Sequence, residues 1–162
     1  MSDSKKIFTR MCINNWGGIS HKVLQFNEYV NLFSGKSGSG KSTVMDAIQV
    51  ILYGSFNANF LNKAADDAKN KRSVLSYLRG EQKDGSANRK DMDFCSVIAL
   101  EIEDKLTHTF TCAGIAFEVR KNDSEIKKFV YFSHSGKMPE PGYITADGYC
   151  YSNSDIKRLI NK

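Results

Sequence analysis

The stretch LFSGKSGSGKSTVMDAIQVILYG, residues 32–54, sets Gly35, Gly40, Lys41 and Ser42 in the order G-x-x-x-x-G-K-[ST]. A loop of this kind wraps phosphates with consecutive backbone N–H groups. Side chains at its tightest points would obstruct that approach, which accounts for Gly35, Gly38 and Gly40. Lys41 brings positive charge to the β- and γ-phosphates. The Ser42 hydroxyl can complete the shell of a magnesium ion otherwise held by water and phosphate oxygens. The expected nucleotide contacts are therefore Lys41, Ser42 and Thr43 with the amides of Ser37, Gly38, Ser39 and Gly40.

The flanks supply the context that such a loop needs. Upstream, YVNLFSG reads as an apolar strand running into the loop. Downstream, Val44, Ala47, Ile48, Ile51 and Leu52 recur at helical spacing, so an amphipathic helix is expected, with Gly54 as its stop. Its opening at Lys41 adds the positive end of a helix dipole to the phosphate site.

Before the loop, IFTRMCINNW and ISHKVLQF read as two strands joined at Gly17-Gly18. Residues 54–93 read as irregular or partly helical, with DGSANRKD as a mobile loop. From Asp93 the period changes to two. Phe94, Ile98, Leu100 and Ile102 share a strand face; His108, Phe110 and Cys112 mark a second strand, Ile115, Phe117 and Val119 a third, and residues 127–132 a fourth. GYITADGYCYS is expected to form a hairpin on Asp147-Gly148. A helix follows, through Ile156, Leu159 and Ile160, capped by Ser152 or Ser154. The aromatics Phe110, Phe117, Phe129 and Tyr131 are expected in the core, and His108 as a packed histidine.

Hydrolysis asks for more than a phosphate cradle. It needs a carboxylate at the end of a hydrophobic strand to hold magnesium, and a group that orients water. The nearest candidate is VIALEIED, residues 97–104, whose alternation describes a half-exposed strand with Glu101 and Glu103 facing outward. It is a poor match, and the machinery reads as incomplete.

The chain has 162 residues, room for one domain or part of one, and its hydrophobic and charged fractions, 41% and 25%, are ordinary for a globular protein. No apolar run approaches the roughly 20 residues that span a bilayer, and no secretory leader is visible. The four cysteines and three histidines are scattered, which points away from a zinc site or disulfide framework and toward reduced thiols in the cytoplasm. Net charge is +5, and most of the excess sits in residues 61–90, with five lysines and three arginines against four acids. A basic window beside a nucleotide site points to a polyanion. Lys69, Lys71, Arg72, Lys83, Arg89 and Lys90 are the candidates to touch DNA phosphates.

The order of strands, glycine loop, helix, basic segment and antiparallel meander, with GKSGSGKSTVMDAIQVILYG, INNWGGI and SYLRG, resembles the N-terminal half of the head of SMC-like ATPases. That group includes the SMC proteins, MukB, SbcC and RecF. The Trp16-Gly17 turn and KAADDAKNKRSVLSYLRG resemble one branch in particular, the JetC motors of the Wadjet plasmid-defence system. The resemblance implies an α/β P-loop NTPase fold of ABC/SMC-head type: residues 1–162 as the N-terminal lobe, a basic insertion at about 54–93, and the coiled coil and C-terminal lobe outside this chain. It implies ATP and Mg2+ as cofactors, with turnover only when a C-terminal lobe and a second head of a homodimer close the site. It places Asn15 and Trp16 at the ribose or base and Arg79 near the nucleotide and the DNA-facing surface. It also implies DNA, a kleisin, a winged-helix accessory protein and a nuclease as partners, and no membrane. Many relatives carry Asn where this chain has Ser37. An SbcC- or RecF-like repair head, a self-sufficient small kinase or NTPase, and a nucleotide-sensing module without turnover remain open.

Overall fold

A computed structural model describes residues 4–56, 61, 73–82 and 84–162. Its frame is a sheet of five antiparallel strands: β1 (Lys6–Trp16), β2 (Ile19–Gln25), β3 (Phe94–Asp104), β4 (Thr109–Val119) and β5 (Lys128–Ser135), in the spatial order β2-β1-β3-β4-β5. Three helices complete the described fold: α1 (Lys41–Tyr53), α2 (Val74–Arg79) and α3 (Asn153–Ile160).

The sheet is covered on both faces, because its central strands are apolar at both parities. On one face Met11, Ile13, Ile98, Leu100, Ile115 and Phe117 pack under Val44, Ala47 and Val50 of α1 and Val74, Tyr77 and Leu78 of α2. On the other, Cys12, Val97, Ala99, Cys112 and Ala116 pack under Met138, Tyr143 and Ile156. Buried residues run unbroken from Ser96 to Glu101, so β3 is not the half-exposed strand that its alternation predicts. The two strands expected over residues 108–119 are one strand for the same reason. The change of apolar parity between Cys112 and Ile115 marks two buried faces, not a break. Gly114 at the join lies against its neighbour: a Cβ there would sit 2.4 Å from the Ile98 carbonyl oxygen.

Other expectations are corrected. YVNLFSG is not a strand: Asn27 and Asn31 close a turn on each other, by Asn27 N–H to Asn31 Oδ1 at 2.7 Å and Asn31 Nδ2 to Asn27 O at 2.9 Å. Tyr29, Val30 and Leu32 are 83%, 75% and 87% exposed. Only Phe33 turns in, edge-on to Phe26. His108 sits in a turn with φ 52 and an exposed ring 3.1 Å from Glu103, because Asp104 reverses the chain before β4 begins. Of the four aromatics expected in the core only Phe117 is fully buried. Phe129 and Tyr131 on the edge strand stay exposed around Phe56, and Phe110 lies half-buried under the Lys137 ammonium.

The helix termini follow the sequence closely. Gly54 caps α1 in the left-handed region with φ 59, donating to the Val50 carbonyl. Ser152 caps α3 in a reciprocal box with Asp155, and the Asp147-Gly148 turn precedes it within the bridge between Ile144 and Cys150. Ser152→Ala is expected to cost about 1 kcal/mol, read as a lower urea midpoint with an unchanged slope. No described helix is long and apolar enough to cross a membrane.

Candidate functional site: a glycine loop and its cleft

The loop runs between Phe33 and α1. Gly35, Gly38 and Gly40 have φ of 152°, 82° and 90°, backbone that side chains rarely adopt, and Ser39 N–H closes the turn onto the Lys36 carbonyl at 3.1 Å. α1 opens without a side-chain cap and without an acid in its first turn, which leaves the donors of its N-terminus free for an anion. The Lys41 ammonium lies inside the curve of the loop, 2.6 Å from the Gly35 carbonyl, 2.9 Å from that of Lys36 and 3.2 Å from Ser39 Oγ. Among the described residues the hydroxyls of Ser37 and Ser42 have no hydrogen-bond partner, and Ser42 is exposed at the helix start. Free donors, glycine curvature and one lysine fit a bound phosphate chain, and the Ser42 hydroxyl fits a ligand to its magnesium.

Below the loop lies a support built around Trp16, a residue that the family resemblance suggests as a ligand contact. Asn15 adopts left-handed backbone with φ 53, which breaks the alternation of β1 and turns Trp16 onto the same cluster as Met11 and Ile13. Trp16 is wholly buried, so it does not border the nucleotide space. Its indole N–H donates to the Thr43 carbonyl at 3.0 Å and its ring stacks on Tyr77 at 5.1 Å. Tyr77 in turn donates its hydroxyl to buried Asp46 of α1. Asn15 lies away from the loop and donates to the Cys95 carbonyl at 2.8 Å.

The loop opens on a cleft of about 700 Å³. One wall is the loop itself with Ser42 and Thr43. The other is made of Gly17, Gly18 and Ile19 and of Ser76, Tyr77, Gly80, Glu81 and Gln82. The walls touch at their base, where a Cβ on Gly17 would lie 2.5 Å from the Thr43 methyl; within the second wall, one on Gly80 would lie 2.6 Å from the Gly17 carbonyl oxygen.

Arg79 and Arg89 are placed differently from the roles expected of them. The Arg79 guanidinium points away from the cleft, to the carbonyls of Asp123 at 2.5 Å and Lys121 at 3.3 Å. Arg89 is only 5% exposed and cannot meet a DNA phosphate. It donates to the Gly17 carbonyl at 2.5 Å and the Leu78 carbonyl at 2.7 Å, stitching the turn to the end of α2. Lys90 is exposed, whereas Lys69, Lys71, Arg72 and Lys83 lie outside the described residues. DGSANRKD is a hydrogen-bonded turn, with Gln82 N–H to the Ser86 carbonyl at 2.7 Å and Asp84 accepting from Ser86.

The acidic segment of β3 serves another end of the molecule. Glu101 is buried on the sheet face opposite α1. There it accepts from Arg10 Nη2 at 2.7 Å, from the Met138 amide at 2.6 Å and from Thr9 at 2.7 Å. Burial alone would push its carboxyl up, but these donors outweigh burial and hold it below the ordinary range. Glu103 is taken by Lys105 and His108. Neither acid is near the loop, and no cluster of three or more metal-ligating side chains exists among the described residues. Sequence reasoning missed Tyr77, Asp46, Glu81 and Gln82. For Tyr77, Glu81 and Gln82 the one signal was SYLRG, residues 76–80, which itself forms part of the cleft wall, and Asp46 had none.

Residues 8–68, under half of the chain, match the family described as the P-loop containing region of AAA domain. The chain carries a P-loop. A curated relative, the SbcC component of the nuclease SbcCD of Staphylococcus haemolyticus (strain JCSC1435), is 33% identical over 74 residues, which is 43% of this chain and 6% of that protein. The chain thus spans a small fraction of that relative's length. The P-loop stands beside an antiparallel sheet, and no parallel strand flanks it among the described residues.

Proposed function

We propose that the chain is the N-terminal, ATP-binding lobe of an SMC/SbcC-type ATPase head, residues 1–162, with a basic insertion at about 54–93. The observation that carries this reading is the P-loop at the end of an unpaired apolar segment. Tyr29, Val30 and Leu32 stand exposed just before it, and Met45, Leu52 and Tyr53 of α1 are 44%, 55% and 70% exposed beside it. A second lobe laying strands along this edge would bury that surface and bring the carboxylate that no described strand supplies beside the loop. Lys41 and the loop amides would hold the phosphates of ATP and Ser42 its Mg2+. The C-terminal lobe and a second head of a homodimer would complete an ATP hydrolase.

The likeness to SbcC supports a head that works on DNA, with the exposed Lys90 and the lysines and arginine at 69, 71, 72 and 83 as phosphate contacts. The JetC branch rests on the Trp16-Gly17 turn and residues 63–80. It carries with it loop extrusion in cytoplasmic plasmid defence and kleisin, winged-helix and nuclease partners.

The test is ATP binding and steady-state turnover by this chain alone. Lys41→Ala is expected to weaken binding about a hundredfold by removing the ammonium that lies in the loop's curve. Wild type is expected to bind without turnover. Turnover that disappears in Lys41→Ala would mean a complete enzyme and sink the split-head reading.

A further inference from the structure

The P-loop accounts for one wall of the cleft and for the phosphates. The opposite wall, beyond Thr43 and Gly17, is larger than a polyphosphate needs, and its chemistry is different. Among the described residues that line the cleft, Lys41 and Glu81 alone carry charge, one on each wall; the Tyr77 hydroxyl is turned to Asp46. Glu81 is exposed, and among the described residues its carboxylate has neither a hydrogen-bond donor nor an ion-pair partner.

Its position is nonetheless fixed. Glu81 N–H donates to the Ser76 carbonyl at 3.0 Å, its backbone bridges Ala87, and the preceding Gly80 is wedged against the Gly17 carbonyl. A free carboxylate on a firm backbone, across a cleft from a loop built for anions, would repel a phosphate. It is matched by a cation or by a neutral group with donors to offer, and the nucleotide's cation would be held on the opposite wall at Ser42. In a nucleotide seated in the P-loop, the group next to the phosphates that meets this description is the ribose, whose two vicinal hydroxyls both donate well to a carboxylate.

Building on the nucleotide-site reading above, we infer that Glu81 is the ribose-recognising residue of the cleft, accepting from the 2′- and 3′-hydroxyls of a nucleoside triphosphate. The site then selects ribonucleotides by a contact that the phosphate loop does not make.

Three magnesium complexes separate the two halves of the cleft: ATP, 2′,3′-dideoxy-ATP and inorganic tripolyphosphate, each titrated calorimetrically into the 162-residue chain. Wild type is expected to bind ATP about tenfold more tightly than the dideoxy compound. Glu81→Ala is expected to lose that tenfold for ATP, to leave dideoxy-ATP unchanged, and to bind tripolyphosphate as well as or better than wild type. Because Glu81 is exposed, the variant is expected to keep the wild-type unfolding midpoint. Equal losses for ATP and tripolyphosphate would place Glu81 at the metal or the phosphates and overturn the inference, as would ATP binding that does not change. A wild-type chain that binds neither ATP nor tripolyphosphate would remove the P-loop reading itself, and this one with it. Lys41→Ala serves as the internal reference, since it is expected to weaken all three ligands.

Discussion

Trp16→Ala is expected to destabilise the chain by about 3–5 kcal/mol, the range for deleting a large buried aromatic side chain. The indole is wholly buried between β1 and the first turn of α1, and three things go with it. Its removal opens a cavity beneath the P-loop, ends the stack on Tyr77, and leaves the Thr43 carbonyl without the indole N–H as donor. The effect therefore spreads from stability to the site. With Thr43 no longer held, the helix start that presents Ser42 loosens, and ATP affinity is expected to fall as well. Trp16→Phe separates the two effects. It keeps most of the packing and loses the hydrogen bond alone, so about 1 kcal/mol is expected. Trp16 is the only tryptophan, so the measurement is urea unfolding followed by circular dichroism. A loss below about 1 kcal/mol for Trp16→Ala would mean that the loop's support lies elsewhere.

Arg10→Met is expected to cost a similar amount, about 3–5 kcal/mol, for an electrostatic reason. Arg10 supplies two of the donors to Glu101, and it also reaches Glu140. Without it a carboxylate remains in the sheet with only Thr9 and the Met138 amide. The double variant Arg10→Met, Glu101→Met is expected to recover much of the loss, since replacing both partners with apolar groups removes the stranded charge.

The pH dependence gives a second signature with a definite sign. In the wild type the folded carboxyl titrates below its unfolded value of about 4.3. Its contribution is therefore complete above about pH 4.3 and fades as pH falls through the lower, folded value. In Arg10→Met, burial is opposed only by Thr9 and the Met138 amide, so the folded value is expected to rise. The variant is then expected to lose less stability than the wild type as pH falls from 7 through the carboxylate range. Urea midpoints across that interval check it, and parallel curves would show that Arg10 is not what holds Glu101 ionised.

Much of the fold was legible because single segments carry single signals. The period of α1, the glycine at its end, the box at Ser152 and the turn at Asp147-Gly148 are local, and each lies where its residues indicate. What misled were properties that depend on neighbours. Alternation in β3 reads as one wet face only if nothing covers the polar parity. Here α3 and the 138–143 segment cover it, and Glu101 is satisfied by a residue ninety-one positions away. The apolar segment at 29–33 is strand-like in composition, but a strand needs a partner, and among the described residues none lies alongside. The site divides in the same way. The phosphate loop is a contiguous motif and could be read directly. Trp16, Tyr77, Asp46 and Glu81 come from three separate segments, and only the folded chain shows that the first three brace the loop and the last faces it.

α1 is fastened at both ends. Trp16 grips its first turn through Thr43, and the Tyr131 hydroxyl donates to the carbonyl of Gly54, the residue that ends it, at 2.7 Å. The two anchors stand on β1 and β5, an inner and an edge strand of one sheet. A helix pinned at one end could pivot when a ligand pulls on its tip. One pinned at both ends across the width of a sheet is held against that pivot. The glycine loop and the edge strand β5 therefore share one support, with β5 holding the end of α1 opposite the phosphate site.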